Sequence, residues 1–446
     1  MQRKILLASA ALFLFSSASA FSAQERAFTL KEAVAAALRD NPEIRAFHES
    51  VSAGEEDIGN ARSMLFPRIS VEEGFMRTTN PTLAFSAKLD QQRFSSSDFA
   101  INNLNHPAPI NDFQTAFSVE QPLFVRKALV GLDMAKKEHA AKVEDFSRKE
   151  EEVAFETIKA YLGAMTASEF VSVAEKGVDD ANEHKRIAEL RYGTKLGLYS
   201  DVLRADTGLS EAQERLVSAR KNYEVAKRAL GLILGMDGEA GTTGGLPEFP
   251  LRDIDYYEKA SLSRKDVRSL EMRYENARRN VDLAQADWFP TFGVGASYQL
   301  DDHSMPFGSE GNSWTVQAYL KWNVFDWAIR RYESAKARHM AAATNEYLSG
   351  LKKSVAFRIH EAYLGVEEAR KNMELASSAA KTAEEGERLV RDRYENSLSP
   401  VVDLLDAQLS LDNARADNVM KKNGYLTAIA NLSYQSGTIL KDFGIE

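Results

Sequence analysis

The sequence predicts a mostly helical fold with a small β part. It reads as two copies of a long coiled-coil helical hairpin, each preceded by a pair of strands that other copies of the chain must complete. Three observations predict this: an internal duplication, two helical runs too long for a compact globule, and four short segments of period-two alternation.

The duplication comes first because it organises the rest. Tyr161-Leu162-Gly163 returns as Tyr363-Leu364-Gly365, and Arg191-Tyr192 returns as Arg393-Tyr394 at the same spacing. Asp201-Val202-Leu203 matches Asp403-Leu404-Leu405, and Tyr223 falls on Tyr425. Upstream, Phe66-Pro67 matches Phe289-Pro290 at a spacing about twenty residues larger, so the first half carries an insertion between these anchors. The expected organisation is a signal peptide (1–20), a first repeat (24–235), a linker (236–263), a second repeat (264–436) and a C-terminal tail (437–446).

The alternation is clearest in the second repeat, where 291–323 reads as a β-hairpin. Phe292, Val294, Ala296, Tyr298 and Leu300 alternate with small or polar residues, as do Trp314, Val316, Ala318, Leu320 and Trp322. Such alternation is the mark of a strand with two different faces. In the first repeat, 68–122 repeats the pattern through Ile69 and Val71, then Phe113, Thr115, Phe117 and Val119, with the insertion in the loop between Thr78 and Asp112. Aromatics near the strand ends suit the girdles of a membrane barrel. Four strands cannot close, and an open edge cannot sit in lipid, so the barrel needs several chains.

The helical runs follow. No proline interrupts Phe124 to Arg191 or Asp326 to Asn396, and each would extend roughly 100 Å at 1.5 Å per residue. Ile359, Val366, Met373 and Ala380 recur every seven residues, a coiled-coil spacing. The helical hairpins are expected over 124–235 and 326–436, reversing near Gly193–Tyr199 and Asn396–Pro400. The glycine-rich stretch from Gly235 to Pro250 is expected to wrap the outside or to break the helix pair.

Composition limits the function classes. Arg3 and Lys4 precede an apolar run from Ile5 to Phe15 and the Ala18-Ser19-Ala20 signal, a secretory leader cleaved after Ala20 or Ala23. No other segment is apolar for the length of a membrane helix, and the chain has no cysteine for disulfides, metal–thiolate sites or acylation. Without Arg3 and Lys4 the net charge moves from −9 to about −11, which argues against nucleic acid as a partner. The seven histidines are scattered, and no phosphate-binding or nucleophile motif occurs, so neither an enzyme nor a cofactor is expected. His303 with Met305 is a minor metal candidate beside the simpler reading of a solvated loop.

With these features in place, the mature chain resembles the TolC family of outer-membrane efflux proteins. The resemblance rests on FTLKEAVAAALRDNPEI at Phe28–Ile44, the two Phe-Pro strand entries and Gln121-Pro122-Leu123-Phe124. It rests also on the paired tips RYGTKLGLYSDVLRAD and RYENSLSPVVDLLDAQ. It implies a homotrimer in the outer membrane, with a twelve-stranded barrel and a periplasmic tunnel of coiled helices. It implies docking onto a periplasmic adaptor (membrane fusion protein) and an inner-membrane transporter of RND, ABC or MFS type. The rival expectation is a periplasmic coiled-coil scaffold without a pore.

Carried over by motif, Tyr192, Tyr394, Asp201, Asp403 and Asp406 match the family's periplasmic constriction. Where the family has an arginine in the second tip, this chain has Ser399 followed by Pro400, and small glycines are replaced by Lys195 and Ser397. Lys195 or Arg204 are then the expected cationic partners, with the closed state held by tyrosine packing and carboxylate hydrogen bonds. Asp201 and Asp403 also suit helix capping, whereas Asp406 lies too far into its helix to cap it. Leu196, Leu198 and Leu398 are candidate adaptor contacts, or else pack within their own hairpin.

Overall fold

The structure, a computed structural model, describes residues 26–244, 249 and 251–445. The predicted leader and part of the linker lie outside the described residues. The chain begins with β1 (Arg26–Phe28), α1 (Leu30–Asp40), α2 (Pro42–Ser63) and β2 (Arg68–Thr78). An insertion follows, made of α3 (Pro81–Asp90), a 3-10 turn (Ser96–Phe99) and α4 (Ile101–Asn105). The first repeat closes with β3 (Ile110–Phe124), α5 (Arg126–Gly193) and α6 (Tyr199–Ile233). β4 (Ala240–Thr242) and α7 (Ile254–Ser261) lead to the second repeat: α8 (Lys265–Gln285), β5 (Thr291–Asp302), β6 (Gly311–Lys321), α9 (Ile329–Glu395) and α10 (Val401–Ser436). α11 (Ile439–Asp442) ends the chain.

Local chemistry explains the helix starts. Thr29 caps α1 in a capping box with Glu32, each side chain bonded to the other's backbone amide at 3.3 and 2.9 Å. Asn41 and Asn80 cap α2 and α3, and each is followed by proline, which suits the first helical position. α5 and α9, with 68 and 67 residues, each run about 100 Å. No helix of the described residues is long and apolar enough to cross a membrane.

The long helices are accompanied by half-length ones stacked end to end: α2 and α6 beside α5, α8 and α10 beside α9. Where these shorter helices meet, midway along α5 and α9, lies the core. There Val153, Ile158, Tyr161 and Leu162 of α5 pack with Val34 of α1, Leu230 of α6, Ala430 of α10, and Ile439 and Phe443 at the C-terminus. A second cluster joins Leu348, Val355, Ile359 and Val366 of α9 to Tyr257, Val267, Ile429 and Leu432. Of the expected heptad positions, Ile359 and Val366 are fully buried and Met373 and Ala380 are half-buried in the single chain.

The glycine-rich linker is more structured than its composition suggests. β4 pairs in parallel with β1, and the buried Tyr161 hydroxyl donates to the carbonyls of Phe28 and Thr243 at 3.2 and 2.8 Å, fastening both segments to α5. The tail, too, is folded, through α11. The expected loop between Thr78 and Asp112 contains two helices.

The four long strands form one antiparallel sheet in the order β2-β3-β5-β6. Residues paired across a sheet share a face, and the register places Ile69, Val71, Phe117, Val119, Ala296, Tyr298, Trp314 and Val316 together on one side. Ser70, Glu72, Gln114, Ser118, Ser297, Gln299 and Gln317 lie on the other. The apolar face stands open, with Ile69, Trp314 and Val316 each 70% or more exposed. β2 and β6 are free edges.

At Gly235, just past α6, φ is +72° and an added Cβ would lie 2.4 Å from the Asp40 carbonyl oxygen. Gly235→Ala meets both a left-handed backbone and a backbone clash. It is expected to lower stability by about 1–3 kcal/mol, measured as a fall in thermal midpoint of the detergent-solubilised protein.

Candidate functional site

The two tips are built alike. α5 and α9 each end in a left-handed residue, Lys195 and Ser397, both at φ +61°. The Lys195 amide donates to the Tyr192 carbonyl and the Leu196 amide to that of Arg191; the Ser397 amide donates to Tyr394 and the Leu398 amide to Arg393. This is the Schellman ending that glycine normally closes, because other residues pay steric strain in the left-handed region. The turn then throws Leu196, Leu198 and Leu398 outward, each about two-thirds exposed.

The tips differ in what crosses between them. Tyr394 is buried, 1% exposed, and the Arg191 guanidinium lies over its ring at 4.2 Å. Arg191 also donates to the carbonyls of Tyr394 and Leu196 and, at 3.3 Å, to the Ser397 hydroxyl. One arginine of the first tip thus clasps the whole second turn. Burial pushes the Tyr394 hydroxyl above its ordinary range, with the Arg191 guanidinium opposing and the Asp201 charge adding. The equivalent Tyr192 is exposed, and its ring lies tilted against that of Tyr199, centroids 5.4 Å apart.

The remaining candidates are dispersed around this clasp. Asp201 sits in the first turn of α6 and accepts from the Leu198 amide at 3.4 Å, a capping contact. Asp403 sits in the first turn of α10, where a carboxylate complements the helix dipole, though the cap itself is Pro400. Asp406 lies one turn further along, on the wall of a cleft of about 310 Å³ shared with Arg204, His184 and Gln408. Among the described residues neither Lys195 nor Arg204 has an ion-pair partner. The cation that joins the tips is Arg191, which the sequence marks only as a repeat signature. Arg204 lines the cleft beside Leu405 and Asp406 of the second hairpin.

Sequence reasoning also missed the polar belt above the tips. His184 of α5 and Glu387 of α9 are almost fully buried, with Nε2 and Oε1 3.1 Å apart. Arg415 of α10 pairs with Asp180 of α5 at 2.7 Å, and Arg215 of α6 with Asp412 of α10 at 3.1 Å. Burial pushes the Asp412 carboxyl up, while the Gln408 amide and both arginines hold it back. The repeat spacing carries no signal for these pairs, because each joins positions that are not equivalent. At the other end of the molecule, His303 Nδ1 sits 2.7 Å from Glu310, while Asp302 is held by Ser304; Met305 points to solvent. This is a polar loop closing on itself.

Comparison with known proteins agrees with this architecture. The sequence pattern of the outer membrane efflux protein family matches residues 33–236 and 256–438. The alkaline protease secretion protein AprF of Pseudomonas aeruginosa is 21% identical over 421 residues, covering 90% of this chain and 83% of that protein. The outer membrane protein TolC of Escherichia coli is 20% identical over 455 residues, covering 95% and 85%. The crystal structure of the Campylobacter jejuni CmeC outer membrane channel superposes with a TM-score of 0.75 at 15% identity, covering 98% and 94%. The chain belongs to the outer membrane efflux protein family: it is a non-enzymatic channel of the outer membrane, serving efflux or type I secretion.

A non-glycine residue in the left-handed region costs about 1–2 kcal/mol, against about 0.5–1 kcal/mol for the extra freedom of an unfolded glycine. Lys195→Gly and Ser397→Gly are each expected to stabilise the tips by about 0.5–1 kcal/mol, read as slower hydrogen exchange at the helix ends.

Proposed function

We propose that three copies of the chain form the duct, with a twelve-stranded barrel above and a closed ring of six tips below. The observation that carries this reading is the open four-stranded sheet, with one apolar face and two unpaired edges, set on helical hairpins about 100 Å long. A row of unpaired backbone groups cannot face hydrocarbon, so β6 of one copy pairs with β2 of the next. The polar face then lines the lumen. The same sheet speaks against the pore-free scaffold, which has no use for an exposed apolar β-face.

The tips are the gate in this reading. Arg191, clasping Tyr394 and the second turn, holds the hairpins of the two repeats together, and Tyr192, Asp201, Asp403 and Asp406 flank it. Carboxylates repeated three times around an axis favour cations. The exposed Leu196, Leu198 and Leu398 meet a periplasmic adaptor that links the duct to an inner-membrane transporter. The export route starts with removal of the leader after Ala20 or Ala23, which N-terminal sequencing of the mature protein decides.

Outer-membrane fractions are expected to yield a trimer that resists detergent at room temperature and dissociates on boiling. Elongated particles in the soluble periplasm would overturn the duct reading. In planar bilayers, Arg191→Ala is expected to raise single-channel conductance by releasing the second tip, with Arg191→Lys intermediate because an ammonium lacks the planar fork. Asp403→Ala with Asp406→Ala is expected to weaken cation selectivity; unchanged conductance and selectivity would remove these carboxylates from the gate.

A further inference from the structure

The insertion in the first repeat has a place in the fold that its sequence does not announce. The corresponding connection of the second repeat spans only 303–310, whereas the first spans 79–109 and folds into α3, a 3-10 turn and α4. The segment is braced internally. Lys88 pairs with Asp98 at 2.6 Å, holding that carboxyl down to about 2 together with Ser95, and the rings of Phe85, Phe94 and Phe99 meet edge to face.

The face on which α3 rests decides its meaning. Ala84 and Ala87, each 2% exposed, pack on Ile110 and Met76. Ile110 pairs with Thr78 and Met76 with Asp112, so both belong to the polar face of the sheet. Gln91 is fully buried and donates at 2.8 Å both to the Asn111 carbonyl and to the Asp112 carboxylate. The helix ends against β6, where a Cβ on Gly311 would come within 1.8 Å of the Asp90 carbonyl oxygen. α3 therefore leaves β2 and reaches β6 across the entire sheet. Its ten residues span about 15 Å, matching about 14 Å for three strand spacings.

We propose that this insertion is the size-limiting element of the duct's outer mouth. The proposal rests on the reading of the polar face as lumen wall. In the closed barrel each copy lays α3 along the inner side of its third of the rim, so three inserts project inward and leave only a central opening. Gln91 is the positioning residue, the buried amide that fixes α3 to the wall. Bulky molecules outside are refused by these inserts while exported cargo leaves between them.

The chain has no cysteine, so Ser297→Cys places a single thiol mid-strand on the polar face. Intact cells are treated with a small charged maleimide and with maleimide-polyethylene glycols of increasing mass. Three backgrounds are compared: the native insertion, residues 81–109 replaced by a short glycine–asparagine turn, and Gln91→Glu, which sets a carboxylate against Asp112. Boiling-sensitive trimers in each background confirm assembly. The small reagent is expected to label all three, and the large reagents only the two altered ones. Equal labelling by large reagents with the native and altered insertions overturns the proposal. Failure of even the small reagent in every background, with labelling after denaturation, overturns the lumen assignment and the proposal with it.

Discussion

The edge of a β-sheet is a row of backbone donors and acceptors, and hydrocarbon offers nothing to bond them. β2 and β6 expose such rows at the two sides of a sheet whose outer face is apolar. Most of the molecule answers to that constraint. Closing the edges requires other copies, and closing them in a ring sets the long helices side by side around one axis. The Phe-Pro anchors at Phe66-Pro67 and Phe289-Pro290 mark where the helical stretch of each repeat gives way to strand.

How much of this can be read from sequence depends on the length over which a physical signal is averaged. The strands were legible because two faces meeting different surroundings leave alternation over eleven or more residues. The long helices were legible because nothing interrupts them. β4 was not, since three residues show no period and its partner β1 lies more than two hundred positions away. α3 carried a start signal in Asn80-Pro81, but its contact face consists of two alanines and a glutamine, too small and too polar to mark a helix that packs. At the tips the duplication pointed to the right turns and to the strained Lys195 and Ser397. It could not choose among Arg191, Lys195 and Arg204, because which cation reaches across depends on where the turn ends.

The duplication also shows how equivalent positions part company. Arg191 and Arg393 occupy the same place in their repeats, yet Arg191 crosses to the other tip, and Tyr394 is buried where Tyr192 is open. A clasp between two unlike hairpins needs one to present the arginine and the other the ring and carbonyl. The buried His184–Glu387 pair repeats this division of labour two turns above. Such pairs bring little net stability once desolvation is counted, but breaking one leaves an uncompensated buried group. They therefore define an alignment between the repeats more sharply than they strengthen it.

The central core gathers Phe28, Val34, Ile158, Leu230, Ala240 and Phe443, the first described strand together with nearly the last residue. A cluster that joins Phe28 to Phe443 closes long loops at once and forms late. Tying β1, β4 and α11 into one cluster therefore places its completion after the local helical pairings have formed.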